Sequence, residues 1–163
     1  MRWVVMGVSG SGKSSVGAAL AEALGVRFLE GDDYHSPANV ARMRAGVALT
    51  DEDRAEWLDR LSAEIALAAA AGEGLVLSCS ALRRRYRDQL RAADPGLRFA
   101  HIHGPRELFA QRMQARPNHF MPVALLDSQL AALEPLQPDE AGLTLDARHA
   151  PTELVAQIKK AAV

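Results

Sequence analysis

Short apolar runs alternate with longer amphipathic stretches along the chain. The runs fall at residues 3–6, 26–29, 75–79, 98–102 and 143–145. They are continuously apolar rather than alternating, the pattern of strands covered on both faces. Between them apolar residues recur at helical spacing over 13–24, 37–45, 51–71, 81–93, 105–115, 123–133 and 151–162. In the longest of these, Trp57, Leu58, Leu61, Ile65, Leu67 and Ala68 keep one face apolar, so the alanine run at 66–71 reads as the end of an amphipathic helix. The alternation predicts an α/β fold of three layers, with a five-stranded parallel sheet between helices.

Local signals place the boundaries. Thr50 before Asp51-Glu52-Asp53 is an N-cap followed by an acidic first turn, and Gly72-Glu73-Gly74 stops the same helix. Asp94-Pro95-Gly96 marks a turn, and Pro151 suits a first helical position. There is no internal repeat and no flexible linker.

Composition then limits the possibilities. A chain of 163 residues, 48% apolar and 24% charged, is expected to form a single domain over 1–163 with no separate substrate domain. A net charge of −1 and a pI near 6.5 argue against nucleic-acid or membrane-surface partners held by a basic field. The lone cysteine, Cys79, forms no intrachain disulfide and sits in an apolar strand, where it reads as core. Neither a leader nor a membrane-length apolar stretch is seen, so the expected location is the cytoplasm.

The chemistry begins directly after the first apolar run. Gly7-Val8-Ser9-Gly10-Ser11-Gly12-Lys13-Ser14 fits G-x-x-x-x-G-K-[ST], and Ser15 continues it into the first helix. Such a loop converges backbone N–H groups on phosphate oxygens. Lys13 adds a point charge for the terminal phosphates and the Ser14 hydroxyl a ligand for Mg²⁺. The chain is therefore expected to bind a nucleoside triphosphate.

Ligands of open parallel sheets collect at the carboxyl ends of the strands. The second strand ends in Glu30-Gly31-Asp32-Asp33-Tyr34-His35, placing carboxylates and a histidine beside the phosphate loop. Acidic groups there suit proton acceptance from an attacking hydroxyl, or holding the water shell of Mg²⁺. The alternative is a solvated turn that caps the next helix. The third strand, Leu75-Val76-Leu77-Ser78-Cys79-Ser80, lacks a terminal carboxylate, which speaks against a switch GTPase or motor ATPase. Ser80 reads as the cap of a helix that opens with Arg83, Arg84, Arg85 and Arg87, a candidate anion site or an ordinary solvated face. Helical spacing puts Arg83 and Arg87 on one face and Arg84 with Asp88.

The stretch from Arg112 through Arg116 and Pro117 to Pro122 reads as a lid over about residues 112–122, its arginines reaching transferring phosphates. A plain helix–helix connection is the competing reading.

Taken together, Gly7 to Ser14, Gly31-Asp32-x-x-His35, Asn39-x-x-x-Met43-x-x-Gly46, Leu49-x-Asp51-x-Asp53-Arg54-x-x-Trp57-Leu58, Cys79-Ser80-Ala81-Leu82-x-x-x-Tyr86-Arg87-Asp88 and Arg116-x-Asn118-His119-Phe120 resemble gluconokinases of the short, phosphate-loop type. The resemblance runs in order from the first strand to Glu134. It implies a P-loop NTPase fold like that of nucleoside monophosphate kinases, with a helical lid and commonly a homodimer. The implied activity is ATP- and Mg²⁺-dependent phosphorylation of D-gluconate at its 6-hydroxyl. By the same resemblance Lys13 and the loop amides hold the β- and γ-phosphates, and Ser14 the metal. Asp32 orients or deprotonates the hydroxyl and touches the metal through water, while Arg116 and Arg112 stabilise the migrating charge. His119 joins the substrate side.

The gluconate carboxylate calls for cationic or donor partners, and Arg54, Arg83, Arg87 and His35 are the candidates. Arg83-Arg84 stand where lysines are usual in the family, and Asp33 lies outside its pattern. Two other functions stay open. One is a different small-molecule kinase of this fold, such as a shikimate-type kinase; the other is a regulatory protein that binds ATP without transferring phosphate.

Overall fold

The computed structural model describes residues 1–115 and 122–162. Strands β1 (Arg2–Met6), β2 (Arg27–Glu30), β3 (Leu75–Ser78), β4 (Arg98–His103) and β5 (Gly142–Asp146) form one parallel sheet in the order β2-β3-β1-β4-β5. The helices are α1 (Lys13–Leu24), α2 (Pro37–Arg44), α3 (Asp51–Ala70), α4 (Arg84–Ala93), α5 (Arg106–Ala115), α6 (Val123–Ala132) and α7 (Pro151–Ala161). A single turn of 3-10 helix at Gly31–Tyr34 follows β2. The three-layer expectation holds, and element bounds shift by only one residue or so except at α4.

The pleat explains the layers. Along β1, Trp3 and Val5 pack with α1, α5, α6 and α7, whereas Val4 and Met6 pack with α3 and α4. Because successive side chains of a strand point to opposite faces, an unbroken apolar run fills both cores at once. Val4 of β1 lies in register with Leu77 of β3 and Phe99 of β4, so the central strands share one apolar ridge. Cys79 is fully buried in the α3/α4 core, and burial pushes its thiol up to about 12, which fits the core role read from sequence.

The caps follow the local signals. Thr50 and Asp53 close a reciprocal capping box at the start of α3. Among the described residues no helix is long and apolar enough to cross a membrane.

Candidate active site

The phosphate loop joins the end of β1 to the start of α1. Gly10 (φ 80°) and Gly12 (φ 91°) take left-handed conformations that side chains disfavour. Gly12 is the N-cap of α1 and offers no side chain to its first-turn amides. Those N–H groups, with the positive end of the helix dipole behind them, are left for an anion. Lys13 and Ser14 are half-buried on this first turn and Ser15 is exposed.

Facing the loop is a pocket lined by Ser9, Lys13, Asp32, His35, Arg54, Ser80 and Gln129, floored by Met43, Leu49 and Leu125. Asp32 is carried by the 3-10 turn. A Cβ at Gly31 would collide with the Ser78 carbonyl oxygen, and the Gly31 carbonyl accepts from Trp57 Nε1 at 2.8 Å. Glu30 ties the same turn to β3, accepting from Ser78 Oγ at 2.6 Å and from the Asp32 N–H at 3.4 Å. The turn that aims Asp32 is thus pinned by β3 and α3, and only glycine fits beside Ser78. Asp33 is exposed and outside the pocket.

His35 stacks on Trp57, ring centroids 4.3 Å apart and 15° from parallel. Asn39 Nδ2 donates to the Asp53 carbonyl at 2.7 Å and lies 3.4 Å from His35 Nδ1. An amide nitrogen only donates, so Nδ1 accepts and the proton of the neutral ring sits on Nε2. Burial, opposed by Asp32 and assisted by Arg54, pushes the His35 imidazole down to about 4. Near neutral pH His35 is therefore uncharged, so of the cationic or donor roles expected of it the donor role remains.

The three candidate arginines separate sharply. Arg54 lines the pocket, donating to the Leu49 carbonyl at 2.9 Å and to Tyr86 Oη at 3.2 Å. Tyr86 in turn donates to Asp51, which also pairs with Arg85. Arg83 lies outside the first pocket, in an adjoining groove that it shares with Arg54, Thr50, Asp51 and Ser128.

Arg87 is a correction to the expected substrate set. Its side chain is 0% exposed, and it pairs with Glu140 at 2.7 Å while donating to the Ala81 carbonyl at 2.9 Å. Burial by itself would raise the Glu140 carboxyl, but hydrogen bonds from Arg87, the Gln137 N–H and Arg91 outweigh it and hold the group at about 2. The Arg87 guanidinium is spent on fastening α4 to the segment before β5.

The start of α4 explains why. Ala81 (φ 45°) turns the chain after β3, and the helix begins only at Arg84 with Arg83 as N-cap. Ser80 is therefore not a cap; its side chain lines the pocket instead. Sequence periodicity could not register a left-handed alanine, so it began the helix three residues early and placed Arg83 and Arg87 on one face.

A second cleft, lined by Ser11, Gly12, Ser15, Arg112, Ala147, His149 and Pro151, lies along the loop. Arg112 donates to the Ser11 carbonyl at 3.2 Å and to the Ala147 carbonyl at 2.6 Å. The structure thus places Arg112 in this cleft rather than in the pocket with Asp32. Arg116 and His119, and with them most of the expected lid, lie outside the described residues.

Gln129 was missed by the sequence reading. Its Oε1 accepts the Ser9 N–H at 2.7 Å. No local signal marks it: Gln129 follows the polar Asp127 and Ser128, and its partner Ser9 lies 120 residues away.

Residues 3–136 match the AAA domain family. Gluconokinase from Gluconobacter oxydans (strain 621H) is 51% identical over 84% of this chain and 77% of that protein. Thermosensitive gluconokinase from Escherichia coli (strain K12) is 42% identical over 98% of this chain and 86% of its own. The chain belongs to the gluconokinase family. A crystal structure of a gluconokinase from Sinorhizobium meliloti 1021 superposes with a TM-score of 0.89 at 45% identity, over 99% of this chain and 91% of that one. That gluconokinase thus shares this chain's overall fold.

Proposed function

We infer that the protein transfers the γ-phosphoryl group of ATP to the 6-hydroxyl of D-gluconate, giving 6-phospho-D-gluconate. The observation that carries this reading is that Lys13 of the phosphate loop and Asp32 of the 3-10 turn line one pocket with Arg54. A phosphate cation, a proton acceptor and a carboxylate partner then surround the space a sugar acid would fill. Membership of the gluconokinase family selects gluconate over a shikimate-type acceptor.

In this mechanism the loop amides and Lys13 bind the β- and γ-phosphates and draw charge from the bridging oxygen. Asp32 accepts the hydrogen of the 6-hydroxyl, aligning that oxygen with the γ-phosphorus and taking its proton as the new P–O bond forms. Arg54, with Arg83 in the adjoining groove, holds the carboxylate end. His35 donates from Nε2 to a substrate oxygen, and Ser80 adds a hydroxyl. Arg112 steadies the nucleotide side of the loop, and Arg116 and His119 belong to a lid over about residues 112–122 that closes on the transferring phosphoryl. Residues 1–163 act as one domain.

Mg²⁺ fits this donor set. Among the described residues no group of three His, Cys, Asp or Glu could hold a metal alone. Mg²⁺ typically takes one or two protein ligands and completes its shell with phosphates and water, which Ser14, and Asp32 through water, would supply. Bound there, the ion neutralises charge on the phosphate oxygens. The reading also includes a homodimer, checked by light scattering, and a cytoplasmic location, checked by cell fractionation.

The deciding assay couples ADP release to a chromogenic reaction with gluconate, shikimate and other sugar acids side by side, with NMR locating the new phosphate ester. Turnover with gluconate and phosphorylation at the 6-position are expected. Turnover with shikimate but not gluconate would overturn the reading, and ATP binding without any turnover would favour the regulatory alternative.

A further inference from the structure

Gln129 sits where the donor and acceptor halves of the pocket meet, and the mechanism above leaves it without a role. It projects from α6, the helix that follows the expected lid, and reaches the phosphate loop, whose Ser9 lines the same pocket. A backbone N–H must donate, so the atom it meets at 2.7 Å is the carboxamide oxygen, which fixes the orientation of the amide. The opposite end of the group, Nε2, carries two hydrogens. Among the described residues it makes no hydrogen bond.

The surroundings restrict what those hydrogens can meet. Leu125, one helical turn before Gln129, together with Met43 and Leu49, makes the adjacent pocket wall apolar and offers no acceptor. Lys13, which lines the same pocket, is itself a donor, and among the described residues no hydrogen bond joins Gln129 to Asp32 or His35. An amide anchored by its oxygen and unsatisfied at its nitrogen, in a half-buried pocket, is a preorganised donor for an oxygen that arrives with the ligand.

We propose that Gln129 is a specificity-determining residue, whose Nε2 donates to a hydroxyl oxygen of the acceptor polyol while its Oε1 holds the phosphate loop through Ser9. The proposal rests on the sugar-acid kinase reading given above. It predicts that Gln129 counts hydroxyls: an acceptor lacking the contacted hydroxyl forgoes the hydrogen bond from this preorganised donor, and the enzyme discriminates against it for that reason.

The two ends of the amide are tested separately. Gln129→Glu keeps an oxygen for the Ser9 N–H but has no amide donor; Gln129→Met keeps the length and loses both. KM and kcat for gluconate and for a series of monodeoxygluconates are measured, with nucleotide affinity from a fluorescent ATP analogue.

The expected result is a gluconate KM raised about ten- to a hundredfold in both variants, the range for one lost hydrogen bond in a preorganised site. Gln129→Glu also lowers nucleotide affinity, because its carboxylate stands against the phosphate loop, whereas Gln129→Met adds no charge and reads the gluconate contact alone. One deoxygluconate, discriminated against by the parent, is used as well as gluconate by Gln129→Met. A Gln129→Glu enzyme with the parental gluconate KM overturns the proposal and leaves Gln129 a tie for the loop. Equal discrimination among deoxygluconates in parent and variants overturns it as well. If the parent itself does not phosphorylate gluconate, the failure lies with the functional reading and with everything that rests on it.

Discussion

The phosphate loop is one unbroken stretch, Gly7 to Ser15, whereas the pocket it faces gathers Asp32, His35, Arg54, Ser80 and Gln129 from segments spread across much of the chain, the proposed acceptor side. The first binds through backbone geometry: two left-handed glycines and an uncapped helix start turn N–H groups toward an anion. The second binds through side chains, each held by a different element. Gly31 is wedged between Ser78 and Trp57, His35 lies on Trp57, and Arg54 is steadied by Leu49 and Tyr86. A backbone site is set by a local motif and serves many enzymes with the same donor. A side-chain site needs the whole fold, and on the proposed reading selectivity for one acceptor would reside there.

The largest separation of the two sides is expected from Asp32→Asn. Turnover falls about 10²–10⁴-fold, the usual contribution of a positioned proton acceptor, while nucleotide affinity is retained. Steady-state kinetics beside a nucleotide-binding titration checks this, and unchanged turnover would remove Asp32 from the mechanism.

Next come two arginines that the sequence treated alike. Arg87→Met leaves Glu140 buried without its main partner and costs about 3–5 kcal/mol of stability, read by urea unfolding, with kcat per folded molecule preserved. Arg54→Met, by contrast, raises the gluconate KM about ten- to a hundredfold, the loss of a charge-assisted hydrogen bond, with little change in unfolding. Swapped phenotypes would put the carboxylate site at the wrong arginine.

The smallest expected effect is a pH dependence of stability. His101 is 1% exposed in β4, and among the described residues neither ring nitrogen has a hydrogen-bond partner. Burial, then His103 and Arg87, lower it to about 4. The unfolded chain takes up this proton below about pH 6.5 and the folded chain does not until about 4, so stability is full above 6.5 and falls as the pH drops through this window. The loss is about 2 kcal/mol by pH 5 for this group, and His35 adds to it with the same sign. Urea midpoints at pH 7.5 and 5 measure the loss, and His101→Phe should reduce it; an unchanged difference would show that His101 is not the source.

Much of the fold was legible because a parallel sheet covered on both faces writes itself as short apolar runs, and because Thr50 and the glycines before Lys13 state helix starts locally. The α4 boundary was not legible. A left-handed Ala81 has no sequence signature, and missing it read Ser80 as a cap and began the helix three residues early. Glu140, the partner that removes Arg87 from the site, is 53 residues away in the chain. The pairing of Gln129 with Ser9 spans 120 residues and has no local signal either.

By itself, the sequence determined the layers, the sheet-forming runs, the phosphate loop and the placing of an aspartate after β2, since each depends on periodicity or on neighbouring residues. Tertiary structure alone decided which polar side chains face the pocket, which arginine is buried with a carboxylate, and that His35 is neutral. Those outcomes depend on burial and on partners far along the chain, which set the cost of a charge and the direction of a hydrogen bond only when the layers close.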